Sequence, residues 1–282
     1  MDKQVIAVIG SGTMGNGIAH VSALSGHSVF LLDINKKLLS NALDTINSNL
    51  NRQLSKGIIS EESKEAALNN IKTTSNINDI ADSDLVIEAV PEKYDLKASL
   101  FIELDSICKE SAILASNTSS ISITSLSRKT NRPDKVIGMH FMNPVPIMKL
   151  VEIINTVDTS KQTTDKVVSL AKVMGKIPVQ CNDYPGFVSN RILMPMINES
   201  ILCLEQGVAT KEAIDDIMKL GMAHPMGPLK LADLIGLDVC LNIMEVLFDG
   251  FKDEKYKPCS LLVKMVEDGA LGRKSGLGFY KY

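Results

Sequence analysis

The chain has 282 residues, of which 45% are hydrophobic and 22% are charged, and its formal net charge is −3. This composition is typical of a soluble globular protein, and the length predicts one large domain or two smaller ones. The slight negative charge provides no general attraction to nucleic acid or to an acidic membrane surface, so we expect neither as a partner.

Five cysteines are widely spaced and form no CxxC pair, which predicts reduced thiols in a cytoplasmic protein and no metal site. An apolar strand begins by Val5, so little room remains before it for a signal peptide. The most apolar late stretch is interrupted by Asp233, Asp238 and Glu245, which indicates an amphipathic or buried helix rather than a membrane span.

The first 33 residues have the pattern of a strand, a glycine turn, a helix and a second strand. Residues 5–9 form an apolar run that ends at Gly10, and residues 15–24 carry the small and apolar side chains of a helix packed on a sheet. A second apolar run, residues 27–32, ends at Asp33. The alternation continues to the run KIPVQC and predicts an α/β fold with a doubly wound, mostly parallel Rossmann-type sheet.

The glycine turn between the first strand and the first helix has the spacing of a dinucleotide-binding fingerprint. Gly10 permits the tight turn, Gly12 lets the backbone approach a pyrophosphate, and Gly15 allows close packing of the helix on the strand. The N–H groups and the positive dipole of the helix N-terminus would attract the phosphates. A plain structural turn is the alternative. The expected cofactor-binding residues of this turn are Gly10, Gly12, Thr13, Met14 and Gly15.

Asp33 ends the second predicted strand, where a carboxylate would accept hydrogen bonds from the hydroxyls of an adenosine ribose. A 2′-phosphate would meet this carboxylate, so Asp33 favours NAD over NADP as the cofactor. Lys36 and Lys37 lie close in sequence and leave NADP open as the alternative.

A helical pair is predicted near residues 35–70, and it is longer than a minimal connection between neighbouring strands. Its first helix covers residues 35–55, and Ser60 begins the second with a capping pattern. The pair carries several basic side chains, including that of Lys56. These side chains form either a solvated face or a basic surface for an anionic substrate.

The pattern changes after Tyr184-Pro185-Gly186, where helical periodicity replaces the strand signals. We therefore expect two domains, a Rossmann-type domain over residues 1–184 and a smaller all-helical domain over residues 185–282. The apolar content of the smaller domain predicts that it buries surface against a partner subunit.

His140 is the histidine whose position indicates chemistry, because it ends an apolar strand where open α/β sheets bind their ligands. The segment MHFMNPVPIMKLVEI contains two strands, and a hairpin centred on Pro146 places Glu152 opposite His140. A carboxylate there would orient the imidazole and stabilise its charged form. The pair is either catalytic or a stabilising salt bridge in the core. The histidines expected to be structural or to lie in turns are His20, His27 and His224.

Two polar segments belong to the same predicted region. Residues 116–120, SNTSS, follow a buried strand, and their alternative role is a helix cap or a turn. Asn190 begins the first helix after the predicted domain boundary, where a purely structural asparagine is the alternative. Pro195 removes a helix hydrogen bond and predicts a kink in that helix.

Taken together, these motifs resemble the short-chain L-3-hydroxyacyl-CoA dehydrogenase family, and most closely the bacterial 3-hydroxybutyryl-CoA dehydrogenases. The matching segments follow the family order over essentially the whole chain: VIGSGTMGNGIA, DLVIEAVPE, ILASNTSSISIT, GMHFMNPVPIMKLVEI, DYPGFVSNRIL, HPMGPLKLADLIGLDV and GRKSGLGFYKY. The resemblance implies interconversion of (S)-3-hydroxybutyryl-CoA and acetoacetyl-CoA by hydride transfer with NAD. It also implies a homodimer, with the helical domain serving both substrate binding and dimerisation.

The resemblance implies a role for each residue of the catalytic set. His140 would be the general base that takes the proton of the substrate C3 hydroxyl, and Glu152 would orient it. Ser119 would donate a hydrogen bond to the reacting oxygen, and Asn190 would hold the substrate. Lys56 matches a lysine that contacts the CoA moiety. The further positions matched to the cofactor site are Glu92, Lys97, Asn117 and Asn143.

Three positions depart from the family pattern. Ser11 stands where alanine is common, Asn49 where some members carry a CoA-contacting serine, and Leu229 where phenylalanine is frequent. The change at Asn49 affects the expected CoA contact, and the change at Leu229 predicts an altered acyl pocket. Two other functions stay open: a sugar-acid dehydrogenase of similar fold, and an NAD-binding protein without turnover.

Overall fold

The computed structural model describes residues 3–282 and divides into two compact units, one ending at Asp183 and the other spanning Tyr184–Tyr282. The strands of the first unit are β1 (Val5–Ile9), β2 (Ser28–Leu32), β3 (Ile71–Thr74), β4 (Leu85–Glu88), β5 (Ile113–Ser116), β6 (Val136–Phe141), β7 (Leu150–Asn155) and β8 (Ile177–Asn182). Its helices are α1 (Thr13–Leu24), α2 (Lys36–Ser55), α3 (Glu61–Asn69), α4 (Tyr94–Ile107), α5 (Ile123–Ser127) and α6 (Lys161–Val173). The helices of the second unit are α7 (Ser189–Glu205), α8 (Lys211–Gly221), α9 (Pro228–Ile235), α10 (Leu237–Phe251) and α11 (Ser260–Glu267).

The strands form one eight-stranded sheet in the order β3-β2-β1-β4-β5-β6-β7-β8. Neighbouring strands are parallel except β6 and β7, which are antiparallel. The strand order reverses between β1 and β4, which is where doubly wound sheets open a crevice for a ligand. The predicted fold class, a mostly parallel Rossmann-type sheet followed by a smaller helical unit, is confirmed.

The central strands place several of the predicted site residues of the first unit at one edge of the sheet. β4, β5 and β6 are buried along their whole length, which explains their continuous apolar sequences. Their carboxyl ends lie at the same edge as that of β1 because these strands are parallel neighbours. β7 begins at this edge, since it runs antiparallel to β6.

β3 is a strand that the sequence pattern does not predict. Its residues, IKTT, contain a single apolar side chain, and it lies at the edge of the sheet beside β2. An edge strand need not show the apolar run of a strand buried on both faces. The preceding helices, α2 and α3, form the helical pair, and their caps are the side chains of Asn35 and Ser60. The chain passes from this pair directly into β3.

The second unit has its own hydrophobic core, to which α7, α9, α10 and α11 contribute. Pro195 lies inside α7, one of these helices. The last residues of the chain fold onto α9, where the backbone amides of Phe279 and Tyr280 donate to the buried carboxylate of Asp233. Within residues 3–282, none of the helices combines the length and the apolar character that crossing a membrane requires.

Candidate active site

Two glycines of the turn between β1 and α1 are required by the packing of the chain itself. Gly10 has a φ of +94°, and a Cβ at this position would lie 2.6 Å from the carbonyl oxygen of Ala89. A Cβ on Gly15 would lie 1.7 Å from the carbonyl oxygen of Gly10. A side chain at either position would force the turn or the start of α1 to move.

Gly12 is different, because nothing in the folded chain requires a glycine there. Its φ is −63°, which any residue adopts, and a Cβ would meet no atom within 4 Å. Gly12 caps α1 without a side-chain hydrogen bond, and the first turn, which includes Thr13 and Met14, carries no acidic side chain. The N–H groups of a helix N-terminus beside open space fit the pyrophosphate of a dinucleotide.

Asp33 lies directly beside this turn. Its Oδ2 accepts hydrogen bonds from both the backbone N–H and the hydroxyl of Ser11, each at 2.8 Å. Its Oδ1 accepts a hydrogen bond from the backbone N–H of Asn35 at 3.1 Å. The acid predicted to contact the adenosine ribose is therefore hydrogen-bonded to the glycine turn, a link that the sequence does not predict.

His140 and Glu152 form a buried pair between β6 and β7. The two residues are directly opposite in the register of the antiparallel strands, which confirms the pairing predicted from a hairpin centred on Pro146. The imidazole Nδ1 lies 2.8 Å from Glu152 Oε2, and only 8% of His140 and 4% of Glu152 is exposed. A hydrogen bond from Nδ1 to the carboxylate fixes the orientation of the imidazole ring.

The loop after β5, residues 116–120, is organised by Glu92. Glu92 Oε1 accepts hydrogen bonds from the Thr118 hydroxyl at 2.5 Å, the Ser119 amide at 3.0 Å and the Ser120 hydroxyl at 2.9 Å. Thr118 Oγ1 in turn accepts from the backbone N–H groups of Ser120 and Ile121, so the loop is a turn. One carboxylate therefore sets the position of the backbone that carries Ser119.

A buried ammonium group lies beneath this loop. Lys97 is 1% exposed, and its Nζ lies 2.5 Å from Glu88 Oε1 and 3.2 Å from Glu92 Oε2. Burial raises the pKa of Glu88. Burial opposes ionisation of Glu92 too, but the Lys97 charge and the hydroxyls of Thr118 and Ser120 outweigh it and lower the pKa of Glu92.

Glu88 is a residue of this region that the sequence analysis misses. Its second carboxylate oxygen accepts a hydrogen bond of 2.6 Å from the Ser116 hydroxyl at the start of the loop. Lys97 thus joins two carboxylates that hold the loop at Ser116 and at Thr118–Ser120. A glutamate that ends an apolar parallel strand is the signal that could have identified it, since a carboxylate buried there needs a partner.

The other predicted cofactor and substrate residues occupy several places in the fold. Asn117 Oδ1 accepts a hydrogen bond of 2.9 Å from the backbone N–H of Phe141, next to His140. Asn143 is exposed in the connection between β6 and β7, and Lys56 is exposed directly after α2. Among residues 3–282, no three His, Cys, Asp or Glu side chains are grouped so that they could hold a metal ion.

The second unit contains two positions that the sequence analysis singles out. Asn190 is buried in the first turn of α7. Leu229 is fully buried in α9 and belongs to the hydrophobic core of the second unit. The structure therefore assigns Leu229 a packing role, and its expected effect on an acyl pocket stays a prediction.

Comparisons with known proteins identify the family to which the chain belongs. The family profile described as "3-hydroxyacyl-CoA dehydrogenase, NAD binding domain" matches residues 5–184, and the one described as "3-hydroxyacyl-CoA dehydrogenase, C-terminal domain" matches residues 186–282. The chain is 51% identical over 282 residues to a "Probable 3-hydroxybutyryl-CoA dehydrogenase" of Bacillus subtilis, covering 100% of this chain and 98% of that protein.

Two further relatives extend the likeness to other bacteria and to a solved structure. A "3-hydroxybutyryl-CoA dehydrogenase" of Bradyrhizobium diazoefficiens is 53% identical over 277 residues, covering 98% of this chain and 94% of that protein. The crystal structure of an (S)-3-hydroxybutyryl-CoA dehydrogenase from Ralstonia eutropha superposes with a TM-score of 0.97 at 48% identity, covering 100% of this chain and 99% of that one. With both family domains matched and relatives more than half identical along its length, the chain belongs to the 3-hydroxyacyl-CoA dehydrogenase family.

Proposed function

We propose that this chain interconverts (S)-3-hydroxybutyryl-CoA and acetoacetyl-CoA with NAD as the hydride carrier. The observation that carries the proposal is the buried His140–Glu152 pair at the sheet edge where the glycine turn and the Ser116–Ser120 loop also lie. The printed names of the bacterial relatives support the choice of substrate. A protein that only binds a dinucleotide has no need of a buried acid–base pair.

The glycine turn and Asp33 would hold the cofactor. The open space over Gly12 and the first N–H groups of α1 suit the pyrophosphate, and Asp33 would accept from the ribose hydroxyls. A 2′-phosphate would meet the Asp33 carboxylate, which supports NAD rather than NADP. When bound, the nicotinamide accepts or supplies the hydride at C3 of the substrate.

His140 would act as the general acid and base of the reaction. With its Nδ1 bonded to Glu152, the imidazole presents Nε2 for the proton of the substrate C3 hydroxyl. The carboxylate would stabilise the imidazolium that results, and it would not take the proton itself. In the reductive direction the same imidazolium returns the proton to the developing alkoxide. Proton transfer by a positioned side chain contributes about 10²- to 10⁴-fold to the rate.

Ser119 and Asn190 would orient the substrate for this proton transfer. Glu92 Oε1 accepts a hydrogen bond of 3.0 Å from the Ser119 backbone and a longer one of 3.4 Å from its hydroxyl. The hydroxyl would exchange this longer bond for one to the reacting oxygen. Asn190 would hold the substrate, and Lys56 would contact the CoA moiety. The homodimer, the cytoplasmic location and the roles of Glu92, Lys97, Asn117 and Asn143 at the cofactor belong to the same proposal.

The test is the oxidation of NADH by the purified protein with acetoacetyl-CoA, with NADPH assayed in parallel. Free acetoacetate is the matched control, since it offers the same ketone without the CoA moiety. Rapid loss of NADH absorbance with the thioester alone supports the proposal. Turnover with NADPH alone would keep the reaction and reject Asp33 as the selector of NAD. Cofactor binding without turnover of the thioester would favour a sugar-acid dehydrogenase or a non-catalytic protein.

A further inference from the structure

Ser11 is a buried serine whose side chain contacts the proposed cofactor selector. It is 4% exposed, and its hydroxyl donates a 2.8 Å hydrogen bond to Asp33 Oδ2. The Ser11 backbone N–H donates to the same oxygen, also at 2.8 Å. Two donors from one residue thus hold one oxygen of the carboxylate against the glycine turn.

This arrangement fixes the direction in which the carboxylate faces. Rotation of the Asp33 side chain would break both hydrogen bonds from Ser11. It would also break the hydrogen bond of 3.1 Å that the backbone N–H of Asn35 donates to Oδ1. A hydrogen bond to a charged group is stronger than one between neutral groups, so three of them hold the carboxylate firmly. The negative charge therefore stays beside the turn that receives the cofactor.

The surroundings of Asp33 would otherwise suit a phosphate. Lys36 and Lys37 are exposed in the first turn of α2, where the helix N-terminus adds a positive dipole. A 2′-phosphate in this region would be attracted by both lysines and repelled by the carboxylate. Whether the repulsion prevails depends on the carboxylate remaining in place.

We propose that Ser11 is a specificity-determining residue, whose hydroxyl holds Asp33 in the position that accepts a 2′-hydroxyl and excludes a 2′-phosphate. The inference rests on the proposed use of NAD and extends it to a residue that does not itself touch the ribose. Without this hydroxyl, Asp33 retains only the backbone donors, and its side chain can turn away from a 2′-phosphate. NADPH would then gain the attraction of Lys36 and Lys37.

The experiment compares the kcat/KM for NADH with that for NADPH, using acetoacetyl-CoA and the full-length chain. In Ser11→Ala the preference for NADH is expected to fall at least about tenfold, which is the lower end of the effect of losing one hydrogen bond to a charged group. The kcat at saturating NADH is expected to stay unchanged, because the proton-transfer groups are untouched. Ser11→Cys, which keeps the volume but donates weakly, is a second variant with the same expected direction.

The matched control is Ser22→Ala, which removes another fully buried serine hydroxyl of the same unit. The Ser22 hydroxyl donates to the Ile18 carbonyl within α1 and has no bond to Asp33. This variant should keep the full cofactor preference. A general loosening of the fold would instead lower the preference in Ser22→Ala as well, and that result would overturn the inference.

A double-mutant cycle with Asp33→Ala tests the coupling directly. Asp33→Ala should lose the preference for NADH, and adding Ser11→Ala should then change it no further. If Asp33→Ala loses the preference but Ser11→Ala retains it, the role of Ser11 is refuted and the proposed function stands. If Asp33→Ala keeps the preference, the selector itself is wrong and the Ser11 proposal fails with it. Absence of NADH turnover in the unsubstituted protein would refute the proposed function instead.

Discussion

His140 and Glu152 face each other across an antiparallel strand pair, with the imidazole Nδ1 2.8 Å from the carboxylate Oε2. Both side chains are buried, so the carboxylate acts on the ring with little screening by water. The register of the two strands therefore fixes the orientation of the imidazole relative to the carboxylate. The pair is the centre of the proposed chemistry.

Glu152→Gln removes the charge of this pair and keeps its shape. We expect kcat to fall about 100-fold, because the variant no longer stabilises the imidazolium. This is the lower end of the contribution that general acid–base catalysis makes to a rate. The Kd for NADH should change little, since Glu152 is not part of the glycine turn. Steady-state kinetics and a fluorescence titration measure the two quantities. Glu103→Gln, an exposed change on α4, is the control, and an unchanged kcat in Glu152→Gln would contradict the role.

Gly12→Ala separates cofactor binding from folding. The added Cβ meets no atom of the chain, so the melting temperature should be retained, whereas the Kd for NADH should rise at least about tenfold through contact with the pyrophosphate. Gly221→Ala is the matched control, since its Cβ also enters open space and its φ is not positive. Gly10→Ala should destabilise the fold, because its Cβ would contact the Ala89 carbonyl. Tight NADH binding by Gly12→Ala would place the pyrophosphate elsewhere.

Lys97→Met tests the buried charges beneath the Ser116–Ser120 loop. The change leaves Glu88 and Glu92 without their shared counter-charge, and breaking a buried pair in this way costs about 3–5 kcal/mol of unfolding free energy. The exposed pair of Lys161 and Asp165 provides the comparison, since Lys161→Met should cost less than about 1 kcal/mol. Urea unfolding measures both. Equal effects of the two changes would show that the Lys97 pair contributes no more than a surface pair.

Protonation of His20 should make the fold less stable in mild acid. Burial lowers the pKa of His20, the charge of Lys176 lowers it further, and the hydrogen bond to Gln53 only partly offsets both. Below a pH of about 6.5, His20 therefore binds a proton in the unfolded chain but stays neutral in the folded chain until the pH is lower. The stability from neutral His20 is present above that pH and is lost as the pH falls below it.

His20→Gln isolates this contribution. Urea unfolding between neutral pH and mild acid should show a shallower loss of stability in His20→Gln than in the unsubstituted chain. Burial lowers the pKa of His27 as well, so part of the loss should persist in His20→Gln and become smaller in the double variant His20→Gln/His27→Gln. Identical pH dependence in all three proteins would contradict the assignment.

Most elements, and the register of β6 and β7, could be predicted from the sequence because they depend on local patterns. Apolar runs mark the buried strands, and a hairpin centred on Pro146 places Glu152 opposite His140 by symmetry. β3 could not be predicted in this way, because an edge strand with the sequence IKTT carries no apolar run. β3 forms by pairing with the free edge of β2, and that edge is defined only once the sheet is assembled.

The charged contacts were less predictable, since they depend on which side chains the fold brings together. The structure places the ammonium group of Lys97 between Glu88 and Glu92, a contact that the sequence does not indicate. The expected position of Lys97 at the cofactor site stays a prediction. The sequence likewise gives no indication that Ser11 and Asp33 are bonded. The register of neighbouring strands determines which side chains meet at their carboxyl ends, and therefore which partners these groups have.

The most direct test of the account is the kinetics of His140→Gln with acetoacetyl-CoA and NADH, together with the Kd for NADH. Without the base, kcat should fall at least about 100-fold, while the Kd for NADH stays close to that of the unsubstituted protein. This result would establish His140 as the proton-transfer group of a protein that still binds its cofactor. An unchanged kcat would contradict the role of His140 and require the proton to be transferred by another group.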